Sequence, residues 1–254
     1  GSWVQIERDA LEAADTVIVE VNPNAPRTFG DTAIHISEID YLIETDAALP
    51  VLPPPTFTEV EERIGENVAE LIRDGDCIQL GIGGTSNVVA KKLVDKKDLG
   101  IHSEMFTDSM MELMQLGVIN NSKKNINTGL AVASFAWGSP QLYQFLDHNS
   151  DIIFKRSSYV NNPFVIAQNH NMVSINTTLQ VDLTGQICSE SIGPRQYSGT
   201  GGAFDFAYGA LHAQGGRGIV AVPSTAKQGT VSRISPMLTE GAMVSIIRNV
   251  ADHI

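Results

Sequence analysis

Apolar and polar positions along this chain follow two periods. "TVIVEV" (16–21) is a β-branched run that predicts a buried strand. "NPNAPRTFGD" (22–31) is turn chemistry, and "AIHISEIDYLIE" (33–44) is a mixed apolar segment. "LPVLPPPTF" (49–57) holds four prolines in nine residues and reads as a semi-rigid linker, placing a domain boundary at 51–57. Residues 1–50 are too few for a core of their own and read as the tail end of a preceding domain.

After the linker the pattern becomes regular. Thr58 and Glu61 have capping-box spacing, and Val60, Ile64, Val68 and Ile72 recur every four residues, which predicts an amphipathic helix. "DGDCIQLGIGG" (74–84) reads as turn, strand and glycine-rich loop, followed by a helix over 86–95. Strand 101–106, helix 108–117 closed by Gly117, helix 141–149 and strand 151–155 come next. Strands over 172–183, 218–224 and 242–247 and a helix over 203–213 complete the domain. Alternating strands and helices predict an α/β domain, spanning 58–254, with a largely parallel sheet flanked by helices. In such a sheet the ligand site gathers at the carboxyl ends of the strands.

Composition narrows the function classes. With 43% hydrophobic and 18% charged residues in 254, the chain can bury a sizeable core. No apolar run approaches the roughly 18–20 residues that span a bilayer, so the expectation is a soluble, cytoplasmic protein without a membrane partner. A net charge of −12 argues against a broad nucleic-acid surface. Cys77 and Cys188 are too few for a disulfide framework or a Cys-rich metal site, and each sits amid apolar residues, so both read as buried thiols. The leading Gly-Ser is either a tag remnant or native sequence.

Candidate chemistry lies in a few stretches. Gly81, Gly83 and Gly84 form a strand-to-helix turn that lets backbone approach a ligand, or simply packs tightly. Gly199, Gly201 and Gly202 stand ahead of the 203–213 helix, and three glycines in four residues imply unusual dihedrals or a close approach. Asp205 near that helix start complements its dipole. Asn161 and Asn162 before Pro163 read equally as a structural turn or as ligand hydrogen-bonders. Glu104, in "GIHSEMFTDS" (100–109), reads as a solvated strand-end residue or as a carboxylate nucleophile served by glycine-loop N–H donors. His102 lacks the spacing of a metal site, so no metal is expected. Ser103 lies on the opposite strand face from its neighbours, which excludes a Ser–His–acid triad. Met105, Met110, Met111 and Met114 read as core.

"LGIHSEMFTDSMMEL" (99–113), "SYVNNPFVIAQN" (158–169), "INTTLQVDLTGQICSESIG" (175–193), "YSGTGGAFDFAYGA" (197–210) and "VPSTAKQGTVSRISPML" (222–238) together resemble the acetyl-CoA hydrolase/transferase family. Within it they resemble the 4-hydroxybutyrate and butyryl-CoA:acetate CoA-transferase type. The resemblance implies a CoA-transferase-like domain of the NagB/RpiA type, with residues 1–50 the end of a similar first domain. It implies transfer of coenzyme A between short-chain acids such as acetate, butyrate and 4-hydroxybutyrate. The route it implies is ping-pong, through an acyl-glutamyl anhydride and a glutamyl-CoA thioester at Glu104. By the same resemblance Gly199, Gly201 and Gly202, then Gly81, Gly83 and Gly84, bind CoA and the oxyanion, and Asn161 or Asn162 contacts the site. CoA enters as substrate, with no permanently bound cofactor. A homo-oligomer is expected, with an N-terminal domain completing the cleft. An acyl-CoA hydrolase, and a CoA-binding fragment without turnover, are the alternatives. Ser86 and Ala203 depart from the family pattern, where many relatives carry Pro and Gln, and both departures bear on the acyl pocket. Glu190, a second carboxylate in these motifs, ranks below Glu104 as a structural or secondary residue.

Overall fold

A computed structural model describes residues 1–53, 56–81 and 83–254. Its helices are α1 (Glu7–Ala13), α2 (Glu59–Glu70), α3 (Gly84–Lys91), α4 (Asp108–Gln115), α5 (Pro140–Leu146), α6 (Ser157–Val160), α7 (Pro163–Ile166) and α8 (Ala203–His212). The first strands are β1 (Ile18–Val21), β2 (Phe29–Gly30), β3 (Tyr41–Glu44), β4 (Cys77–Leu80), β5 (Gly100–Ile101) and β6 (Met105–Phe106). They are followed by β7 (Ala131–Ala133), β8 (Phe135–Ala136), β9 (Ile152–Phe154), β10 (Met172–Thr177), β11 (Gln180–Asp182), β12 (Ile187–Cys188) and β13 (Arg217–Ala221). The linker expected at 51–57 includes Pro54 and Pro55, which lie outside the described residues.

The central sheet has the order β13-β10-β4-β5, and every pairing in it is parallel. Every residue of β4 and five of the six in β10 are buried, because helices cover both faces of such a sheet. That is why β4 reads as a near-continuous apolar run. The buried polar residues of these strands serve one another: Gln79 Oε1 accepts from Ile175 N at 3.1 Å, and its Nε2 donates to Asn176 Oδ1 at 3.1 Å. A single parallel bridge, His102 to Val132, joins this sheet to a second parallel set ordered β2-β9-β7. The N-terminal segment is therefore part of the packed body, with β2 parallel to β9 and Val4 in the main core.

Helix α2 begins as its sequence predicts. Thr58 Oγ1 accepts from Glu61 N at 3.3 Å, and Glu61 Oε2 accepts from Thr58 N at 2.8 Å. Its buried face is Gly65, Val68 and Ala69, whereas Val60 is exposed. Gly65 lets α2 approach α3: a Cβ there would run into Val88 Cγ1 and lie 3.1 Å from Val88 Cβ. Gly65→Ala gains about 1 kcal/mol of helix propensity but overpacks this contact by about 1–3 kcal/mol. A lower Tm than wild type is the expected outcome of thermal unfolding.

Three sequence expectations are corrected. The 16–21 run forms strand β1, but it is not buried: among the described residues it pairs only with β3, and Ile18, Tyr41, Leu42 and Ile43 are exposed. Segment 242–247 makes a lone antiparallel bridge, Ile246 to Ile187, because only Ile246 of its large apolar residues is buried. The 172–183 run is two strands. At the break, Thr178 turns its hydroxyl onto the Cys188 carbonyl at 2.7 Å, and the chain leaves the central sheet to pair β11 with β12.

Candidate active site

The 101–106 segment is also broken, and the break sets the position of Glu104. Strand β5 stops at Ile101 and β6 starts at Met105 in a different pairing, with β8. Between them Ser103 N donates to Val132 O at 3.0 Å, while the amides of Ser134 and Phe135 both donate to the Glu104 carbonyl, at 2.8 and 3.1 Å. Two successive amides on one carbonyl are the kind of ladder irregularity that re-aims a side chain. It falls at the carboxyl end of the central sheet, where loops gather.

The Glu104 carboxylate is partly buried and surrounded by neutral donors. Gln5 Nε2 donates to its Oε1. The Asn161 side chain and the Gly202 N–H also favour its ionised form. Oε2 lies against Gly202, where a Cβ would stand only 2.7 Å away. The pKa is nevertheless raised, first by burial and also by the negative charge of Asp205, and the three donors only partly offset this. Burial raises the Asp205 pKa as well. The result is a desolvated, basic carboxylate held by hydrogen bonds and facing a residue with no side chain.

The neighbours of Glu104 are structural. His102 is fully buried, and its Nε2 lies 2.9 Å from the Val160 carbonyl. A carbonyl only accepts, so Nε2 carries the proton; burial and the nearby Lys124 charge lower the ring pKa to about 4, keeping it neutral. This bond fixes the end of α6 one residue before Asn161. Ser103 Oγ donates to Leu80 O at 3.4 Å. Lys124, which sequence reasoning passed over, is buried with Nζ 2.7 Å from both the Ile101 and Leu130 carbonyls, tying β5 to the start of β7. Burial lowers its pKa to about 8. Cys77 and Cys188 are free and buried, and burial pushes the Cys77 thiol up to about 11. Among the described residues no group of three His, Cys, Asp or Glu side chains is arranged to hold a metal ion.

The remaining candidates divide. Of the second glycine cluster only Gly202 is buried against Glu104. Gly199 and Gly201 are exposed with open space where a side chain would be, and Gly201 takes φ +58°. Gly81 spends its amide on Ile175 O at 2.8 Å and packs on Asn176. Gly83 caps α3 without a side-chain partner, and Gly84 faces Glu61. Ile82, between them, lies outside the described residues. Asn162 caps α7, its Oδ1 accepting from Phe164 N at 2.9 Å, so the paired asparagines serve different ends. Glu190 is buried, and its backbone carbonyl accepts from Tyr197 and Ser198 N. Gln5, the direct partner of Glu104, is absent from the sequence expectations. It stands 99 residues away in a segment with no motif of its own.

A parallel α/β sheet thus presents one desolvated carboxylate at its carboxyl end, between an asparagine and a glycine helix start. Residues 138–254 match the acetyl-CoA hydrolase/transferase C-terminal domain, and residues 1–53 match the N-terminal domain of the same family. The chain belongs to the acetyl-CoA hydrolase/transferase family. It is 51% identical over 97% of its length to a 4-hydroxybutyrate coenzyme A transferase of Clostridium kluyveri, covering 58% of that protein. It is also 51% identical over 97% of its length to a succinyl-CoA:cyclohexane-1-carboxylate CoA transferase of Geobacter metallireducens, covering 56%. The crystal structure of 4-hydroxybutyrate CoA-transferase from Porphyromonas gingivalis superposes with a TM-score of 0.88 at 41% identity, over 99% of this chain and 59% of that one. The fold is thus CoA-transferase-like, and the chain spans a little over half the length of the relatives it matches.

Proposed function

We propose that the protein transfers coenzyme A between short-chain carboxylic acids, with Glu104 as the covalent nucleophile. The carrying observation is the Glu104 carboxylate itself: partly buried, raised in pKa, and held by Gln5, Asn161 and Gly202, none of which carries a charge. An ion pair would quench its nucleophilicity, and full solvation would hold it in water. Neutral donors keep it ionised without either penalty.

In the reaction, Glu104 attacks the acyl-CoA carbonyl to give an acyl-glutamyl anhydride and CoA thiolate. The thiolate returns to the glutamyl carbon, forming a glutamyl-CoA thioester and releasing the first acid, and an incoming carboxylate reverses the steps. Two relatives at equal identity carry the names of different acids, one a hydroxylated chain and one a ring. Acetate, butyrate and 4-hydroxybutyrate are accordingly proposed as a class. Ser86 and Ala203, which depart from the family pattern, are the positions proposed to bear on the choice among them.

The test is chemical trapping. Full-length protein is incubated with butyryl-CoA, quenched with borohydride or hydroxylamine, and mapped by mass spectrometry. Modification of Glu104 is expected; modification elsewhere, or none, overturns the mechanism. Adding acetate should produce acetyl-CoA. Release of free CoA at a rate indifferent to acetate would instead identify a hydrolase.

A further inference from the structure

We propose that Gln5 is a catalytic residue, the donor that holds the glutamyl carbonyl oxygen while the covalent intermediates form and break at Glu104. This rests on the covalent reading above.

The placement of Gln5 is built in from the N-terminal segment. Residues 2–5 run beside the strand that carries the Glu104 partners: Ala136 N donates to Ser2 O at 2.7 Å and Val4 N to Ser134 O at 3.0 Å. Trp3 forms an antiparallel bridge with Phe135 and stacks on its ring at 4.1 Å, and Val4 is buried in the core. On the far side, Gln5 O accepts from Ser157 N at 2.9 Å, at the start of α6. The backbone is thus pinned on both flanks, and the side-chain amide reaches Glu104 Oε1.

The two carboxylate oxygens therefore have different surroundings. Oε1 is held by the Gln5 side chain, whereas Oε2 lies at Gly202, and the Gly202 N–H and the Asn161 amide also donate to the carboxylate. With Oε1 engaged by Gln5, Oε2 is the oxygen that forms the bond to the acyl carbon as the thioester C–S bond breaks and the thiolate leaves. Oε1 then becomes the carbonyl oxygen of the glutamyl half. When the thiolate attacks Cδ, a C–S bond forms and the carbonyl π pair moves onto Oε1. Its return breaks the Cδ–Oε2 bond and expels the acid as its carboxylate. Attack by the acceptor carboxylate on the thioester places the pair on Oε1 again. No proton moves in either step. In the resting carboxylate the charge is shared by two oxygens, but in these transition states it concentrates on the one that Gln5 addresses, so the donor favours them over the ground state.

The experiment follows the glutamyl-CoA adduct on Glu104 by rapid quench and mass spectrometry, comparing wild-type full-length protein with Gln5→Ala and Gln5→Met. Methionine keeps the length and volume without a donor, and it is the arm to read if alanine loosens the N-terminal segment. In both variants, resolution of the adduct by acetate should slow by about 10²-fold, the usual cost of losing one such donor. The acid limb of kcat/KM should also move to higher pH, because a group favouring ionised Glu104 is gone. Adduct that forms and resolves at wild-type rates in the variants overturns the role of Gln5 and leaves the covalent reading intact. Failure to find adduct on Glu104 in the wild type overturns the covalent reading itself.

Discussion

Glu104→Gln is expected to lower turnover by on the order of 10⁴-fold or more, the scale seen when a covalent nucleophile is removed. The amide keeps the shape of the side chain but cannot form the anhydride, so no adduct should be trapped with butyryl-CoA. Glu104→Asp makes a graded companion. Aspartate is ionisable, but it withdraws the oxygens by about one carbon–carbon bond from Gly202 and Gln5, and a misplacement of roughly 1 Å costs on the order of 10²-fold. Steady-state rates for both variants, with adduct mass as the second readout, separate loss of the nucleophile from loss of its geometry. Wild-type rates in Glu104→Asp would return the residue to a solvated strand end.

How far the sequence foretold this site follows from where each interaction is encoded. The capping box of Thr58 and Glu61, the buried runs of β4 and β10, and the α3 and α8 helices rest on local patterning, and they stand close to where periodicity puts them. The break at Ser103–Glu104 has no local signal, because it is made by amides of Ser134 and Phe135 thirty residues away in sequence. Lys124 sits between polar neighbours and reads as a surface charge; only the convergence of the Ile101 and Leu130 carbonyls makes its burial tolerable. The β1 run misleads for the opposite reason. Its β-branched residues encode a strand, but burial depends on what covers the strand, and among the described residues only β3 pairs with it. At Glu104 the sequence offers a candidate carboxylate without its geometry. The motif marks the carboxylate, but its donors come from Gln5, Asn161 and Gly202, three separate parts of the chain.

Gly202→Ala should lower kcat/KM by about 10²-fold, although the backbone there strains no residue. Its φ of −93° and ψ of 4° are accessible to alanine. The damage comes from the new Cβ, which would stand 2.7 Å from Glu104 Oε2 and collide with Asn161 Nδ2, with Phe206 Cδ2 at 3.4 Å behind. Either the carboxylate or its asparagine must give way, and near-attack geometry does not tolerate that shift. The overpacking should also lower stability by about 1–3 kcal/mol, read as a drop in Tm. Two neighbours supply the controls. At Gly199 a Cβ meets nothing, so Gly199→Ala should keep both rate and Tm. At Gly201 φ is +58°, so alanine adds roughly 1–2 kcal/mol of backbone strain but touches no part of the site. A rate loss confined to position 202, against a stability loss shared by 201 and 202, would separate crowding at the carboxylate from strain in the loop. Equal rate losses at all three positions would instead mean that this turn acts on the ligand as a whole, and Gly202 would have no special tie to Glu104.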